Sequence, residues 1–174
     1  NVAAPTDELR GRAEGAHASQ YEAIDLLLGL REPELGGRPD LLDAVGLNFY
    51  PDNQWYLEGS MIPLGHHHYR PLSRMLAEAS QPYSKPIFLA ETMSEGSARP
   101  AWLHYVCQEV REAMRQGVRI EGICLYPIAA YPGWDDYRLA DVGLFSAAAD
   151  NGERDVYRPL ADELRRQQGL FDGA

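Results

Sequence analysis

The sequence is poor in cysteine, in basic residues and in long apolar stretches. Its two cysteines, Cys107 and Cys124, fall in a helix-like and a strand-like pattern without metal-ligand spacing, so we expect two buried, reduced thiols. Lys and Arg number 16 against 26 Asp and Glu, and the net charge of −10 disfavours binding to nucleic acid or to an anionic membrane surface. No apolar run approaches the roughly 20 residues that a membrane-spanning helix needs.

Several signatures of other protein classes are also missing. There is no Gly-x-Ser-x-Gly elbow, phosphate-binding loop or dinucleotide fingerprint, which leaves little support for an unrelated α/β hydrolase or binding protein. No signal-peptide pattern occurs in these 174 residues, but the chain opens on Asn-Val-Ala-Ala-Pro without an initiator methionine, so a targeting segment could have been lost upstream. This opening resembles the interior of a longer protein, and we expect a cytoplasmic location.

Apolar patterns along the chain predict that strands and helices alternate. A hydrophobic fraction of 45% in 174 residues suits one globular domain. Repeated strand–helix units predict an α/β fold with a parallel sheet. A complete (β/α)₈ barrel takes about 250 residues, so we expect residues 1–174 to form a single partial barrel without a second domain. The predicted strands are 1–4, 41–50, 85–92 and 121–127, and the predicted helices are 6–28, 72–79, 100–114 and one that starts near 159.

The segment KPIFLAET carries the main candidate for chemistry. Its four consecutive apolar residues predict a strand buried on both faces, as in parallel sheets. With a period of two, Ile87, Leu89 and Glu91 share one face, and Phe88 and Ala90 point the other way. We expect the first face to line the barrel, which places Glu91 at the C-terminal mouth, where barrel enzymes keep their chemistry.

The strand before it, within residues 41–50, ends in polar side chains that we expect near Glu91. Alternation puts Gly46, Asn48 and Tyr50 on one face of this strand. A nucleophilic carboxylate must be ionised, so it needs hydrogen-bond donors around it. We therefore expect Tyr50 to donate its hydroxyl to Glu91.

Three segments resemble, in order, successive strands of the (β/α)₈ retaining glycoside hydrolases, and most closely those of family 1 β-glucosidases. DAVGLNFYPDNQW is similar to the sixth strand, KPIFLAET to the seventh with its nucleophilic glutamate, and GICLYPIAAYPGWDD to the eighth with its sugar-stacking tryptophan loop. The trailing ADVGLFSAAADNGERDVYRPLADEL resembles the segment that closes such barrels. The resemblance implies the C-terminal half of a TIM barrel, about strands five to eight.

The same resemblance implies a glycoside hydrolase that retains configuration at a β-linked glucoside or galactoside. Glu91 would attack the anomeric carbon and form a covalent glycosyl-enzyme, and Tyr50, the other catalytic candidate, would tune this nucleophile. The implied partner is a carbohydrate substrate, and no metal or organic cofactor is implied. The substrate-binding candidates are Asn48, Trp55, Tyr126, Trp134 and Asp135, which offer polar groups for sugar hydroxyls or flat rings for stacking.

Two departures from the family pattern leave an alternative open. The nucleophile strand reads Ala-Glu-Thr instead of Thr-Glu-Asn-Gly, and no Asn-Glu dipeptide, the family's acid/base motif, occurs in the sequence. Glu95, four residues beyond Glu91, has no role that the resemblance assigns, so we expect the acid/base residue upstream of residue 1. The alternative is a non-catalytic half-barrel that binds carbohydrate, associates with itself or needs a second polypeptide for the missing strands.

Three consecutive histidines, His66, His67 and His68, lie in the long connection that follows the predicted strand 41–50. A histidine cluster can bind a metal ion. Adjacent side chains of an extended segment point in different directions, however, and neither cysteines nor a carboxylate cluster stand nearby in the sequence. We therefore expect a solvated loop at the rim of the substrate site, and no metal site.

Overall fold

The computed structural model describes residues 1–133 and 137–173. Its elements alternate between strands and helices, as the apolar patterns predict. The strands are β1 (Val2–Ala3), β2 (Val45–Asn48), β3 (Trp55–Tyr56), β4 (Ile87–Thr92), β5 (Ile120–Leu125), β6 (Tyr131–Pro132) and β7 (Leu139–Ala140). The α-helices are α1 (Arg10–Ala18), α2 (Glu22–Leu27), α3 (Leu72–Ser80), α4 (Arg99–Arg115) and α5 (Arg158–Asp172).

A three-stranded parallel sheet with the order β2–β4–β5 lies at the centre. Helix α3 connects β2 to β4 and helix α4 connects β4 to β5, which is the crossover that parallel neighbours require. Two short pairs flank this sheet: β1 runs parallel to β3, and β6 runs antiparallel to β7. The expected α/β fold with a parallel sheet is confirmed.

The main hydrophobic core lies between this sheet and the helices α3 and α4. Ile87 and Leu89 from β4 pack with Leu76 of α3 and Val106 of α4, and each of these four side chains is almost fully buried. Burying an aliphatic side chain of this size contributes about 1.5–3 kcal/mol. A second cluster joins α4 to α5 through Met93, Leu103, Cys107 and Leu160.

The helix ends follow local signals in the sequence. At the start of α3, the backbone N–H and the hydroxyl of Ser73 both donate to Glu109 Oε2, at 3.0 and 2.7 Å. A carboxylate there also suits the positive end of the helix dipole. Helix α4 has Pro100 in its first turn, and Gly117 with φ of 89° follows its end. Pro and Gly therefore bound this helix as the sequence predicts.

The prediction of one long helix over residues 6–28 is wrong in detail. The segment divides into α1 and α2, with a 3₁₀ turn (Ser19–Tyr21) between them. The hydroxyl of Ser19 donates to the Ala16 carbonyl, and the Gln20 side chain donates to the His17 carbonyl. These side chains satisfy backbone groups that a continuous helix would use, so they end α1. Within residues 1–133 and 137–173, no helix combines the length and the apolar character needed to cross a membrane.

The face of the sheet opposite α3 and α4 carries exposed residues. Gly46 and Asn48 of β2 and Gly122 and Cys124 of β5 are all exposed there. The predicted alternation of these strands is therefore confirmed. The expectation that both cysteines are buried is wrong for Cys124, because its strand has a packed face and an open face and the thiol lies on the open one. Cys107 is buried, and both thiols are free.

Candidate active site

Glu91 lies near the C-terminal end of the central strand β4, beside residues that follow the ends of both neighbouring strands. The hydroxyl of Tyr50, two residues beyond β2, donates to Glu91 Oε2 at 2.9 Å. The same hydroxyl lies 3.4 Å from the carbonyl oxygen of Tyr126, one residue beyond β5. A hydroxyl has one proton to donate, so the shorter contact to the carboxylate is the stronger bond. The expected bond between Tyr50 and Glu91 is present.

Tyr50 keeps its proton over a wide pH range. Burial raises the pKa of this phenol, and its hydrogen bond to Glu91 and the charge of that carboxylate raise it further. A tyrosine in this position is a donor at neutral pH and does not compete with the carboxylate for a proton. The pair therefore consists of a fixed donor and an acceptor at the mouth of the parallel sheet.

A one-residue bulge sets the direction of the Glu91 side chain. Leu47 of β2 pairs with Leu89, but the next residue, Asn48, pairs with Glu91. Ala90 is therefore the extra residue of β4, and the alternation of the strand changes at that point. Bulges of this kind re-aim side chains and are frequent beside active sites.

The bulge corrects the face assignment that strict alternation predicts. Ile87 and Leu89 are 1% and 0% exposed and face the helices, so they do not share a barrel-lining face with Glu91. Phe88 lies on the opposite face, since a Cβ atom built on Gly46 would meet its ring at 3.1 Å. Glu91 is at the expected mouth of the sheet, but a backbone irregularity brings it there.

Thr92 anchors the strand end from the helix side. Its hydroxyl oxygen accepts a hydrogen bond from the indole Nε1 of Trp102 on α4 at 2.9 Å, and both side chains are buried. The Trp102 ring also stacks on Phe49, with ring centroids 5.4 Å apart. Trp102 thus links the ends of β2 and β4, and it restrains Thr92, the residue that follows Glu91.

Glu95 is held in an ion pair on the loop after β4. Its carboxylate accepts a hydrogen bond from the guanidinium of Arg138 and another from the backbone N–H of Asp141. The Arg138 hydrogen bond is the main reason why the pKa of Glu95 is lowered. An acid catalyst needs the opposite shift, so this glutamate is unsuited to proton donation at neutral pH.

Arg99 fastens the same loop, and sequence reasoning missed it. Its guanidinium is buried, donates to the carbonyl oxygens of Gly96 and Gly143 at 2.7 and 2.9 Å, and pairs with Asp141 at 3.1 Å. It also lies 3.7 Å from the ring centre of Tyr157. The sequence offers no local signal for this role, because all its partners except Gly96 lie about 40–60 residues away.

Solved β-glucosidases share this arrangement of strands and helices. A hyperthermophilic β-glucosidase from Pyrococcus furiosus matches 97% of this chain with a TM-score of 0.68 and 17% identity. A family 1 β-glucosidase from Thermotoga maritima matches 71% of it with a TM-score of 0.56 and 13% identity. The chain has the fold of a partial glycoside hydrolase barrel. No protein-family model and no curated protein matches the sequence.

The partial barrel is less than half as long as these enzymes, since the matches cover 40% of the Pyrococcus protein and 34% of the Thermotoga protein. Identities this low show the fold alone. The expected TIM-barrel type of fold is thereby confirmed, whereas the catalytic and binding roles stay predictions.

Of the substrate-binding candidates, two lie beside Glu91 in the partial barrel. Asn48 is its register partner across the sheet and is exposed. Tyr126 is 43% exposed just beyond β5. Trp55 lies in β3, where it lines a cavity of about 410 Å³ together with Asn48. Among the described residues, Glu91 is not part of that cavity lining. Trp134 and Asp135 lie outside the described residues.

The side chains of His66, His67 and His68 do not point apart as expected. The ring nitrogens of His66, His67 and His68 lie within 4.8 Å of one another. The chain turns between them instead of running straight, since the backbone N–H of Tyr69 donates to the carbonyl of His66. The prediction that neighbouring imidazoles would point apart is wrong, because it assumed an extended segment.

Proposed function

We propose that the chain carries the nucleophile side of a retaining β-glycosidase site, with Glu91 as the nucleophile. The observation that carries the proposal is the 2.9 Å hydrogen bond from the Tyr50 hydroxyl to Glu91 Oε2. It lies at the C-terminal end of parallel strands in a partial β-glucosidase-like barrel, which is the end where barrel enzymes place their catalytic groups.

In this proposal the ionised Glu91 attacks the anomeric carbon and forms a glycosyl ester. Tyr50 holds the carboxylate in position before the attack through its hydrogen bond to Glu91 Oε2. A second carboxyl group, about 5–5.5 Å away, protonates the leaving oxygen and later activates water. Glu95 is bound to Arg138, so we propose that a carboxyl group other than Glu95 serves as the acid. The proposed chemistry needs carboxyl groups only and no cofactor.

The substrate in this proposal is a β-linked glucoside or galactoside. Asn48 and Tyr126 would bind its hydroxyl groups beside Glu91. Trp55 and Trp134 would stack on sugar rings, and Asp135 would accept hydrogen bonds from sugar hydroxyls. Trp55 shares a cavity with Asn48 that Glu91 does not line, so we propose that it binds a ring further from the cleaved bond.

The test is covalent labelling of the purified chain with 2-deoxy-2-fluoro glycosides that carry a dinitrophenolate leaving group, in the gluco and galacto series. Such a leaving group needs little acid assistance, so the second carboxyl group is dispensable. We expect an intact-mass increase of one glycosyl unit that maps to Glu91. The increase should vanish in Glu91→Gln and persist in Glu95→Gln, the matched control on the neighbouring loop. A folded chain that gains no adduct from either reagent would contradict the proposal.

A second candidate function is an assembly-dependent half-barrel without activity of its own. Strand β5 ends the order of the central sheet, and beside it lies a groove of about 410 Å³ between α4, β5 and α5. This edge groove is lined mainly by apolar residues, among them Leu103, Cys107, Val110, Met114, Ile120 and Phe171. Sugar binding without adduct formation, together with self-association, would favour this second function.

A further inference from the structure

His66, His67 and His68 form a compact cluster, here called the histidine triad, on the loop after β3. The ring centroids of His66 and His67 are 4.2 Å apart, and those of His67 and His68 are 4.1 Å apart. Each ring offers one nitrogen atom as a ligand, and these atoms lie within 4.8 Å of one another. The triad lies outside the candidate active site, so the inference does not depend on the proposed function.

A buried glutamine fixes the loop that carries the triad. The Gln54 side chain is 0% exposed, and its Nε2 donates to the carbonyl of Arg70 at 2.8 Å. Its Oε1 accepts the backbone N–H of Arg70 at 2.9 Å. Ile62, in the middle of the loop, is fully buried and donates its backbone N–H to the Gln54 carbonyl. The loop is thus closed at its base and pinned at its centre, so the triad has a defined support.

Tyr56 orients one ring of the triad. Its hydroxyl oxygen lies 2.7 Å from His68 Nδ1. When His68 carries its proton on Nδ1 and donates it to this oxygen, the lone pair on Nε2 is free for a metal ion. Metal-binding histidines characteristically donate their other ring nitrogen to an oxygen in this way. The Tyr56 oxygen is therefore placed to accept a hydrogen bond from the His68 tautomer that leaves Nε2 free for a metal ion.

The other two rings are also suited to coordination. His66 Nδ1 accepts a long 3.2 Å bond from the backbone N–H of His68, which a metal ion would replace. His67 is exposed, and its ring is free to rotate.

We propose that the histidine triad binds a divalent transition metal ion of the Zn²⁺ or Ni²⁺ class. Imidazole nitrogens are preferred ligands of these ions, and three of them leave a fourth position for water. Tetrahedral zinc–nitrogen bonds of about 2.0–2.1 Å place ligand atoms about 3.4 Å apart. The rings must therefore close by at most about 1.4 Å from their 4.8 Å limit. Rotation of exposed side chains supplies this movement.

The test uses the whole chain without a polyhistidine tag, stripped of metal and titrated with Zn²⁺ and Co²⁺. We expect one ion per chain by calorimetry, and the visible absorption of four-coordinate Co²⁺. His66→Ala and His68→Ala should each weaken binding at least about tenfold, and Tyr56→Phe should weaken it about 10- to 100-fold. His104→Ala is the matched control, since it removes a histidine of α4, and its affinity should equal that of the parent chain.

Thermal unfolding separates a lost site from a lost fold. Zn²⁺ should raise the Tm of the parent chain and of His104→Ala but leave the Tm of the His66→Ala, His68→Ala double variant unchanged, because only an ion bound to the folded state stabilises it. Circular dichroism without metal shows whether the double variant is folded. Equal affinity of the parent and the folded double variant would overturn the proposal, as would less than one ion per parent chain.

Discussion

At the scale of single residues, Glu91 depends on neighbours that hold it from two sides. The indole of Trp102 fixes the adjacent Thr92 from the helix layer, and the Tyr50 hydroxyl fixes the carboxylate itself. A phenol donates one hydrogen bond without adding a positive charge. The carboxylate thus gains order while its remaining lone pairs stay available for attack. An arginine in the same place, such as the one that holds Glu95, would occupy the carboxylate more fully.

We expect Tyr50→Phe to slow covalent labelling of Glu91 by roughly 10- to 150-fold. A hydrogen bond to a charged group contributes about 1.5–3 kcal/mol, and this variant loses one at the reacting atom. Stopped-time intact-mass measurements with the fluoro glycosides give the rate. Tyr83→Phe is the matched control, because the Tyr83 hydroxyl also donates to a carboxylate, that of Asp25, at 2.9 Å.

Tyr83→Phe loses the same kind of hydrogen bond in a different part of the molecule. It should therefore lower the stability of the protein without slowing the labelling of Glu91. Equal labelling rates in Tyr50→Phe and the parent chain would show that the observed bond does not assist Glu91.

The pairing of Tyr50 with Glu91 could be predicted from the sequence, because both follow adjacent parallel strands and such strand ends meet at one edge. The face of β4 on which the Glu91 side chain lies could not be predicted in this way. Alternation places it with Ile87 and Leu89, which are buried against the helices. The extra residue at Ala90 arises from the pairing of two strands and the anchor at Thr92. The alternation of residues along a single strand does not reveal this bulge, because the bulge is defined by the pairing with the neighbouring strand.

At the scale of elements, the segment after β5 folds back on itself and closes the region beside the site. The N–H groups of Leu144 and Phe145 both donate to the carbonyl of Ile128, and Ala130 donates to Phe145. Gly143 lies at this crossing with φ of 77°, and a Cβ atom built there would lie 2.5 Å from the backbone of Ile128. Only glycine fits both the conformation and the space.

Gly143→Ala should reduce the free energy of unfolding by about 2–4 kcal/mol, since it combines a left-handed backbone with a backbone clash. Gly152→Ala is the matched control: Gly152 also has a positive φ, of 83°, but nothing lies within 4 Å of its added Cβ. The control should lose only about 1 kcal/mol. Urea unfolding followed by circular dichroism measures both variants, and equal losses would contradict the proposed clash.

Local signals explain which elements the sequence predicts well. The spacing of Leu72 and Leu76, and the Pro and Gly that bound α4, are enough to place two helices. The pairing of β1 with β3 joins residues about 50 positions apart and has no local signal. The contact between Gln54 and Arg70 that closes the loop carrying the histidine triad likewise has no local signal, because it joins residues 16 positions apart.

At the scale of the whole molecule, the described part of the chain has an open sheet edge at β5. It is less than half the length of the β-glucosidases that it resembles, and β5 lies at the end of its sheet with the edge groove beside it. Edges of parallel sheets carry unpaired backbone groups, and an apolar groove next to them favours association. Met114 is 41% exposed and lines this groove.

We expect the isolated chain to self-associate through this edge at micromolar concentrations, and Met114→Lys to weaken the association about tenfold or more. A charge placed in an apolar contact loses hydration without a partner. Light scattering during size-exclusion chromatography, over a series of concentrations, measures the molar mass. Leu64→Lys is the matched control, because Leu64 is 55% exposed in the loop after β3, away from the groove. A parent chain that stays monomeric throughout the series would contradict this expectation.

Gln54 closes the loop between residues 54 and 70, so this loop can be replaced as a unit. Its two ends are joined by one buried side chain, and Ile62 seals it against the remainder of the fold. The segments between these three fixed points can therefore change in sequence or length while the sheet keeps its register. Evolution, or a protein engineer, can graft a new recognition surface onto this loop without rebuilding the sheet that positions Glu91.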